Sequence, residues 1–186
     1  MKTALLLVDI QREYFPCGAM PLDGPAEAAI QARKLLALFR HNHLPVVFIQ
    51  HVSLNPEATS FRSGSPGVSF TTSIHPLPGE AVVRKHHPNS FRDTNLLELV
   101  WTDIISRLVI CGMMTHMCID ATTRAASDYG FECIIAADAC ATRDLTFAGE
   151  MVPAAMVQRA FLAALDGTYG RVMRVNEIVP LIQATS

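Results

Sequence analysis

The sequence is short of charge. Only 17% of its residues are Asp, Glu, Lys or Arg, and these nearly cancel to a formal net charge of −2. Without a basic excess there is no electrostatic footprint for nucleic acid, and that class of partner is excluded. No apolar run approaches the ~20 residues that span a bilayer, and residue 1 leads directly into a strand-like segment without a cationic leader. Neither a membrane partner nor a secretory signal is therefore expected. No two cysteines have CxxC spacing, and the five present (Cys17, Cys111, Cys118, Cys133 and Cys140) are odd in number. They read as free thiols in a reducing compartment, the cytoplasm. Nucleotide-binding glycine loops are also missing. The turn after the first apolar run, Asp9-Ile-Gln-Arg-Glu-Tyr-Phe, carries two acids and no glycine before Gly18, so a phosphate would meet carboxylates there.

What the chain does have is apolar material. Half of its 186 residues are hydrophobic, enough for one domain over residues 1–186 with a proper core. Residues 3–10 form a short apolar run ending on Asp9, the pattern of a strand buried on both faces. Pro25 suits a first helical position, and a helix is predicted over 25–43 with Ala29, Ile30, Leu36, Ala37 and Arg40 on a 3.6-residue period. Strands follow at 45–51, 81–85, 107–112, 131–137 and 171–175. Helices are predicted at 95–101, 116–129, 150–165 and 176–182, with Gly130 closing the third. Residues 52–79 are rich in Ser, Pro and Gly without a period, and loops of that length usually serve as lids or oligomer contacts. This alternation predicts an α/β domain with a largely parallel sheet covered on both faces.

The chain is organised around residues 108–120, Leu-Val-Ile-Cys-Gly-Met-Met-Thr-His-Met-Cys-Ile-Asp. They read as a buried strand that breaks at Gly112 and restarts as a helix with Cys118 in its first turn. Free N–H groups and the helix dipole favour negative charge there, and the expectation is a thiol pKa lowered from about 8.5 towards neutrality. In open parallel sheets, ligands bind beyond the strands' C-terminal ends, where strand order reverses. Asp9 and Lys85 lie at such ends. A carboxylate to take the thiol proton, an ammonium to hold that carboxylate and N–H groups for an oxyanion together suit acyl transfer. Lys85 has a bland alternative, because Arg84, His86 and His87 surround it and such a run is by default a solvated face. His116 stands two residues from Cys118, on a different helical face, and is a poor base for it. Cys111 and Cys133 read as core; Cys17 and Cys140 read as loop residues.

Several landmarks carry a family resemblance. They are Asp9-x-Gln11, Lys85 at the end of a short strand, Ser90-Phe91-x-x-Thr94-x-Leu96, and Gly112-Met-Met-Thr115-His-Met-Cys118-Ile-Asp-Ala-Thr122-x-Arg124. With these the chain resembles the isochorismatase-like cysteine hydrolases, relatives of which include nicotinamidases and N-carbamoylsarcosine amidohydrolases. The resemblance runs from Thr3 to about Val175. It implies a three-layer α/β/α sandwich with a six-stranded, mostly parallel sheet in the order 3-2-1-4-5-6. It further implies Cys118 as nucleophile, Asp9 as general base and Lys85 as third member of a triad. A non-proline cis peptide at Met113–Met114 is implied too, with the N–H groups of Met114 and Cys118 facing the oxyanion.

The nicotinamidase branch holds a metal through Asp-x-His after the second strand, but here residues 49–53 read Ile-Gln-His-Val-Ser. His51 and His75 without a matching carboxylate make a poor ligand set. No metal and no cofactor are expected, which counts against nicotinamide as substrate. A cysteine nucleophile favours a small-molecule amide-type C–N bond over the vinyl ether of isochorismatase itself. Gln11, Phe15, Phe61, His87 and Phe91, with Met114, are the expected pocket walls. Apolar residues on more than one face of 151–165 predict a homo-oligomer, a dimer or higher. A different class of function also fits these residues: a catalytically silent scaffold, or a redox sensor pairing Cys118 with another thiol.

Overall fold

The computed structural model describes residues 2–183. Residue 1 and residues 184–186, the outer ends of the expected domain, lie outside them. The elements run β1 (Lys2–Val8), α1 (Pro25–His41), β2 (Val46–His51), β3 (Ala81–Lys85), α2 (Leu96–Thr102), β4 (Ile105–Met113), α3 (Asp120–Asp128), β5 (Glu132–Ala141), β6 (Leu145–Phe147), β7 (Glu150–Val152), α4 (Ala154–Leu165), β8 (Arg171–Met173) and α5 (Val175–Gln183). Six strands pair in the order β3-β2-β1-β4-β5-β8, all parallel. This is the sheet implied by the sequence, with β8 as its sixth strand because the β6–β7 hairpin intervenes in the chain.

β1 is central, and Ala4 to Val8 are at most 1% exposed, which is why the run is apolar at every position instead of alternating. Strand order reverses between β1 and β4, so right-handed crossovers send the helices to opposite faces. α1 and α5 pack together on one side, α3 and α4 on the other. Gly112 is required where β4 runs beside β1: its φ is 132°, and a Cβ would lie 1.9 Å from the Val8 carbonyl oxygen.

Four expectations are corrected. The buried stripe of α1 is Ala28, Ala29, Ala32, Leu35, Leu36 and Phe39; Ala29 and Leu36 lie on it as expected, while Ile30 and Ala37 face outward. That stripe keeps the 3.6-residue period but is rotated, with alanines where the helix lies on the sheet. β5 runs on to Ala141 past an irregularity in its pairing with β4, which places Cys140 in the buried sheet and not in a loop. The helix expected over 150–165 splits, because Pro153 disfavours a helical Val152 and the Asp144 carboxylate accepts the Ala154 N–H (2.7 Å) to start α4 afresh. Residues 150–152 pair instead with β6 as an antiparallel hairpin. The helix bearing Cys118 opens with a π-helical turn, Thr115–Ile119, before α3 begins. Gly130, at φ 88°, closes α3 as expected.

The long segment between β2 and β3 is strapped to the turn after β1. Gln11 pairs with Phe70 and Ser53 with Arg62 in isolated bridges, and Ile74 is fully buried beneath it.

Candidate active site

Three strand ends bring three side chains together. Asp9 follows β1 with a left-handed backbone (φ 51°), Lys85 is the last residue of β3, and Cys118 stands in the π-helical turn after β4. The Lys85 ammonium lies 2.7 Å from Asp9 Oδ2 and donates to Cys118 Sγ at 3.1 Å. It also donates to the carbonyls of His87 (3.0 Å) and Pro88 (3.3 Å). Asp9 and Lys85 are 0% exposed and Cys118 5%. The Met113–Met114 peptide is cis. In the turn, the N–H groups of Met117 and Ile119 both donate to the Met114 carbonyl (3.1 and 3.2 Å), while that of Cys118, between them, is not part of this pair.

The electrostatics revise one expectation. Burial first, and then the Asp9 carboxylate, push the Cys118 thiol up to about 12, with Lys85 opposing both. The resting group is a thiol. The helix start does not make it a thiolate, because burial and the neighbouring Asp9 carboxylate favour the protonated form. Burial also works against charge on Lys85, yet Asp9 and then Cys118 keep its pKa above the usual lysine value.

A buried polar set holds this centre from behind. Thr122 Oγ1, one turn along from Cys118, accepts the Ser90 N–H (3.0 Å) and lies 2.8 Å from Ser90 Oγ, while Thr94 Oγ1 donates to the Ser90 carbonyl (2.7 Å). These bonds tie the segment whose carbonyls hold Lys85 to the helix that carries Cys118. The Ser-Phe-x-x-Thr and Thr122 landmarks thereby acquire a physical task.

The expected pocket residues separate. Phe61 is buried and packs edge-on against Tyr14 (5.1 Å) and His51 (5.0 Å). Gln11 has its amide spent on backbone: Nε2 donates to the carbonyls of His51 and Val68, and Oε1 accepts the His51 N–H. It braces the strap. Phe15 is half-buried at the edge of the core. The His87 ring points to Asp93 Oδ2 (3.3 Å), and only the residue's carbonyl reaches the site. Phe91 packs with Tyr129 and Phe131. Met114 is buried beside the turn.

Tyr14 was not singled out from sequence. Its hydroxyl is pushed well above 10, first by burial and then by the charges of Cys118 and Asp9. His51 is lowered, first by burial, and its environment is shared with Asp9 and Lys85. These two rings flank the charged centre, and Tyr14 carried a signal, an aromatic in the turn after Asp9. Arg143, exposed, is near enough for its charge to act on both Tyr14 and His116. The His116 ring faces the Thr142 hydroxyl and Phe161, away from the thiol. His75 turns to the Thr72 carbonyl, apart from His51. Among the described residues, no three His, Cys, Asp or Glu side chains are grouped as a metal site would need.

Comparison with known proteins shows the family and the fold. The isochorismatase domain model matches residues 3–176. The uncharacterized isochorismatase family protein YddQ of Bacillus subtilis is 46% identical over 92% of this chain and 96% of its own. The maleamate amidohydrolase of Pseudomonas putida is 30% identical over 72% of this chain and 70% of its own. The crystal structure of an isochorismatase hydrolase from Oleispira antarctica superposes with a TM-score of 0.92 at 50% identity, covering 96% of both chains. A buried thiol, carboxylate and ammonium at three strand ends, on this sheet and with this sequence match, place the chain in the isochorismatase family.

Proposed function

We propose that the protein is a cysteine-dependent hydrolase of a small-molecule, amide-type C–N bond, acting as one domain. The observation that carries this reading is the single Lys85 ammonium in contact with both the Asp9 carboxylate and the Cys118 sulfur in a site closed to water. The amidohydrolase activity named for the Pseudomonas relative supports it.

In this reading the Cys118 S–H gives its proton to Asp9 as sulfur bonds to the substrate carbonyl carbon. The carbonyl π pair moves to oxygen, and the oxyanion takes hydrogen bonds from the N–H groups of Met114 and Cys118. The oxyanion pair returns, the C–N bond breaks, and the leaving nitrogen takes the proton from Asp9. A thioester on Cys118 remains. Water then attacks it, Asp9 accepts the water proton, and the sulfur leaves as the carboxylic acid forms and is reprotonated through Asp9. Because the resting thiol ionises only near 12, the thiolate forms with substrate in place and not before. Lys85 balances the negative charge shared between Asp9 and sulfur as the proton moves.

The test is an amide panel run on wild type and Cys118→Ala, with intact mass to catch the acyl-enzyme. Turnover by wild type, none by Cys118→Ala and an adduct mass on Cys118 are expected. Hydrolysis by Cys118→Ala at the wild-type rate would overturn the mechanism.

The protein is further proposed to be a cytoplasmic homo-oligomer. Its five cysteines are free. Among the described residues no helix is long and apolar enough to cross a membrane. Phe147 (79% exposed), Met151 (66%) and Met156 (55%) are exposed apolar side chains on the hairpin and α4, the region expected to meet a second copy. Light scattering is expected to return at least a dimer mass; a monomer refutes the assembly.

A further inference from the structure

Asp9 and Lys85 have no exposure to solvent and Cys118 almost none. Phe61 packs edge-on against Tyr14, in the turn that follows Asp9, and against His51, the register partner of Lys85 on β2. Its backbone is left-handed (φ 53°), a costly conformation for an aromatic residue, so something must hold it there. Two bonds do. The Phe61 carbonyl accepts the Ser53 N–H (2.8 Å), which only ties the strap to itself. The Phe61 N–H donates to Glu13 Oε1 at 2.7 Å, which ties the strap to the turn after β1.

Glu13 is built into this place. It is 5% exposed, in the short 3₁₀ turn Arg12–Tyr14 that also carries Tyr14. Its second oxygen lies against Gly67, where a Cβ would come within 1.7 Å of Oε2. A carboxylate accepting a backbone N–H in a nearly water-free setting makes a strong, short bond. Outside this bond is a cleft of about 590 Å³ lined by Arg12, Glu13, Cys17, Glu57, Arg62 and Gly67, among others. None of Asp9, Lys85 and Cys118 lines it.

We propose that Glu13 is a positioning residue that clasps Phe61 over the buried thiol, and that the outer cleft is the vestibule through which substrate passes when the clasp opens. The Gly67 position leaves room for the clasp to close. The proposal rests on Cys118 as the reacting thiol, but its test needs no substrate and so fails or succeeds independently of the hydrolase reading.

The test is the rate at which iodoacetamide labels each cysteine of the native protein, mapped by mass, in wild type, Glu13→Ala, Gly67→Ala and Glu13→Gln. Glu13→Ala removes the acceptor, and Gly67→Ala displaces the same carboxylate from the opposite side. Both are expected to speed Cys118 labelling by about tenfold or more, the shift that follows loss of a hydrogen bond to a charged group. Cys111, Cys133 and Cys140, in the sheet, should stay as slow as in wild type. Glu13→Gln keeps an acceptor for the Phe61 N–H and is expected within about twofold of wild type. An unchanged Cys118 rate in both Ala variants overturns the proposal. So does a rise in which the three core cysteines keep pace, since that reports general loosening, or a Gln variant as open as the Ala variant.

Discussion

The site is made of two unlike halves. Its floor is charged: Asp9 and Lys85 stand at strand ends beside paired backbone, and Cys118 in the turn after β4. Its roof is aromatic: Phe61 meets Tyr14 of the turn after β1 and His51 at the end of β2 edge to face, and Phe61 itself hangs from a strap tied down by Gln11, Glu13 and the bridge to Phe70. A floor that moved by an ångström would separate proton donor from acceptor. A roof that could not move would never admit a substrate. Dense sheet pairing serves the first need, and a strap with few attachments serves the second.

Lys85→Met is expected to be the most damaging change to the floor. It removes the cation from a fully buried pair and leaves Asp9 as an uncompensated charge, a loss of about 3–5 kcal/mol in folding stability. Turnover should fall by at least about 100-fold, as for loss of a charge-stabilising donor. Urea melts and kcat on the same preparations check both. Wild-type stability with activity lost would show that the pair contributes to chemistry alone.

Asp9→Asn comes next and splits two roles of one carboxylate. Loss of the base should lower kcat by about 10²–10⁴-fold. The Asp9 charge raises the Cys118 thiol, so removing it lowers that pKa, and at fixed pH the thiolate fraction rises. Alkylation of Cys118 at pH 8 should therefore quicken in the same variant that cannot turn over. Slower alkylation would mean that Asp9 activates the resting thiol and would reverse the assignment.

The smallest effect is expected in the roof. Phe61→Leu keeps the backbone bond to Glu13 but loses the edge contacts to Tyr14 and His51. KM should rise by about tenfold with kcat within a fewfold, in line with the ~1–3 kcal/mol available from apolar shape in a pocket. A fall in kcat as large as that of Asp9→Asn would erase the distinction between floor and roof.

The residues of the floor were legible in sequence because each sits at an interruption. Asp9 ends an unbroken apolar run, Lys85 ends a β-branched one, and Gly112 marks where a strand must pass close to its neighbour before the turn that carries Cys118. Roof residues are not marked in this way. Phe61 is expected as a pocket wall only as one aromatic among several, and Glu13 looks like any surface acid until the strap folds back over it. The same limit explains His87 and Phe91, both expected as pocket walls: the His87 ring turns to Asp93, Phe91 is buried against Tyr129 and Phe131, and only a His87 carbonyl is used. Cys140 was misread because an irregularity in the β4–β5 pairing extends a strand past the point where its apolar run weakens.

By itself the sequence determined a largely parallel α/β sheet, since period and strand-end polarity act over a few residues and are written locally, and its motifs carried the resemblance that implied the family and the strand order. Tertiary structure alone decided the state of the thiol and the closure above it. Burial sets Cys118 near 12 where a helix start in water would have lowered it, and a single carboxylate reaching across the chain to Phe61 shuts the site. Both depend on which groups lose their water together, and that is settled only when distant segments meet.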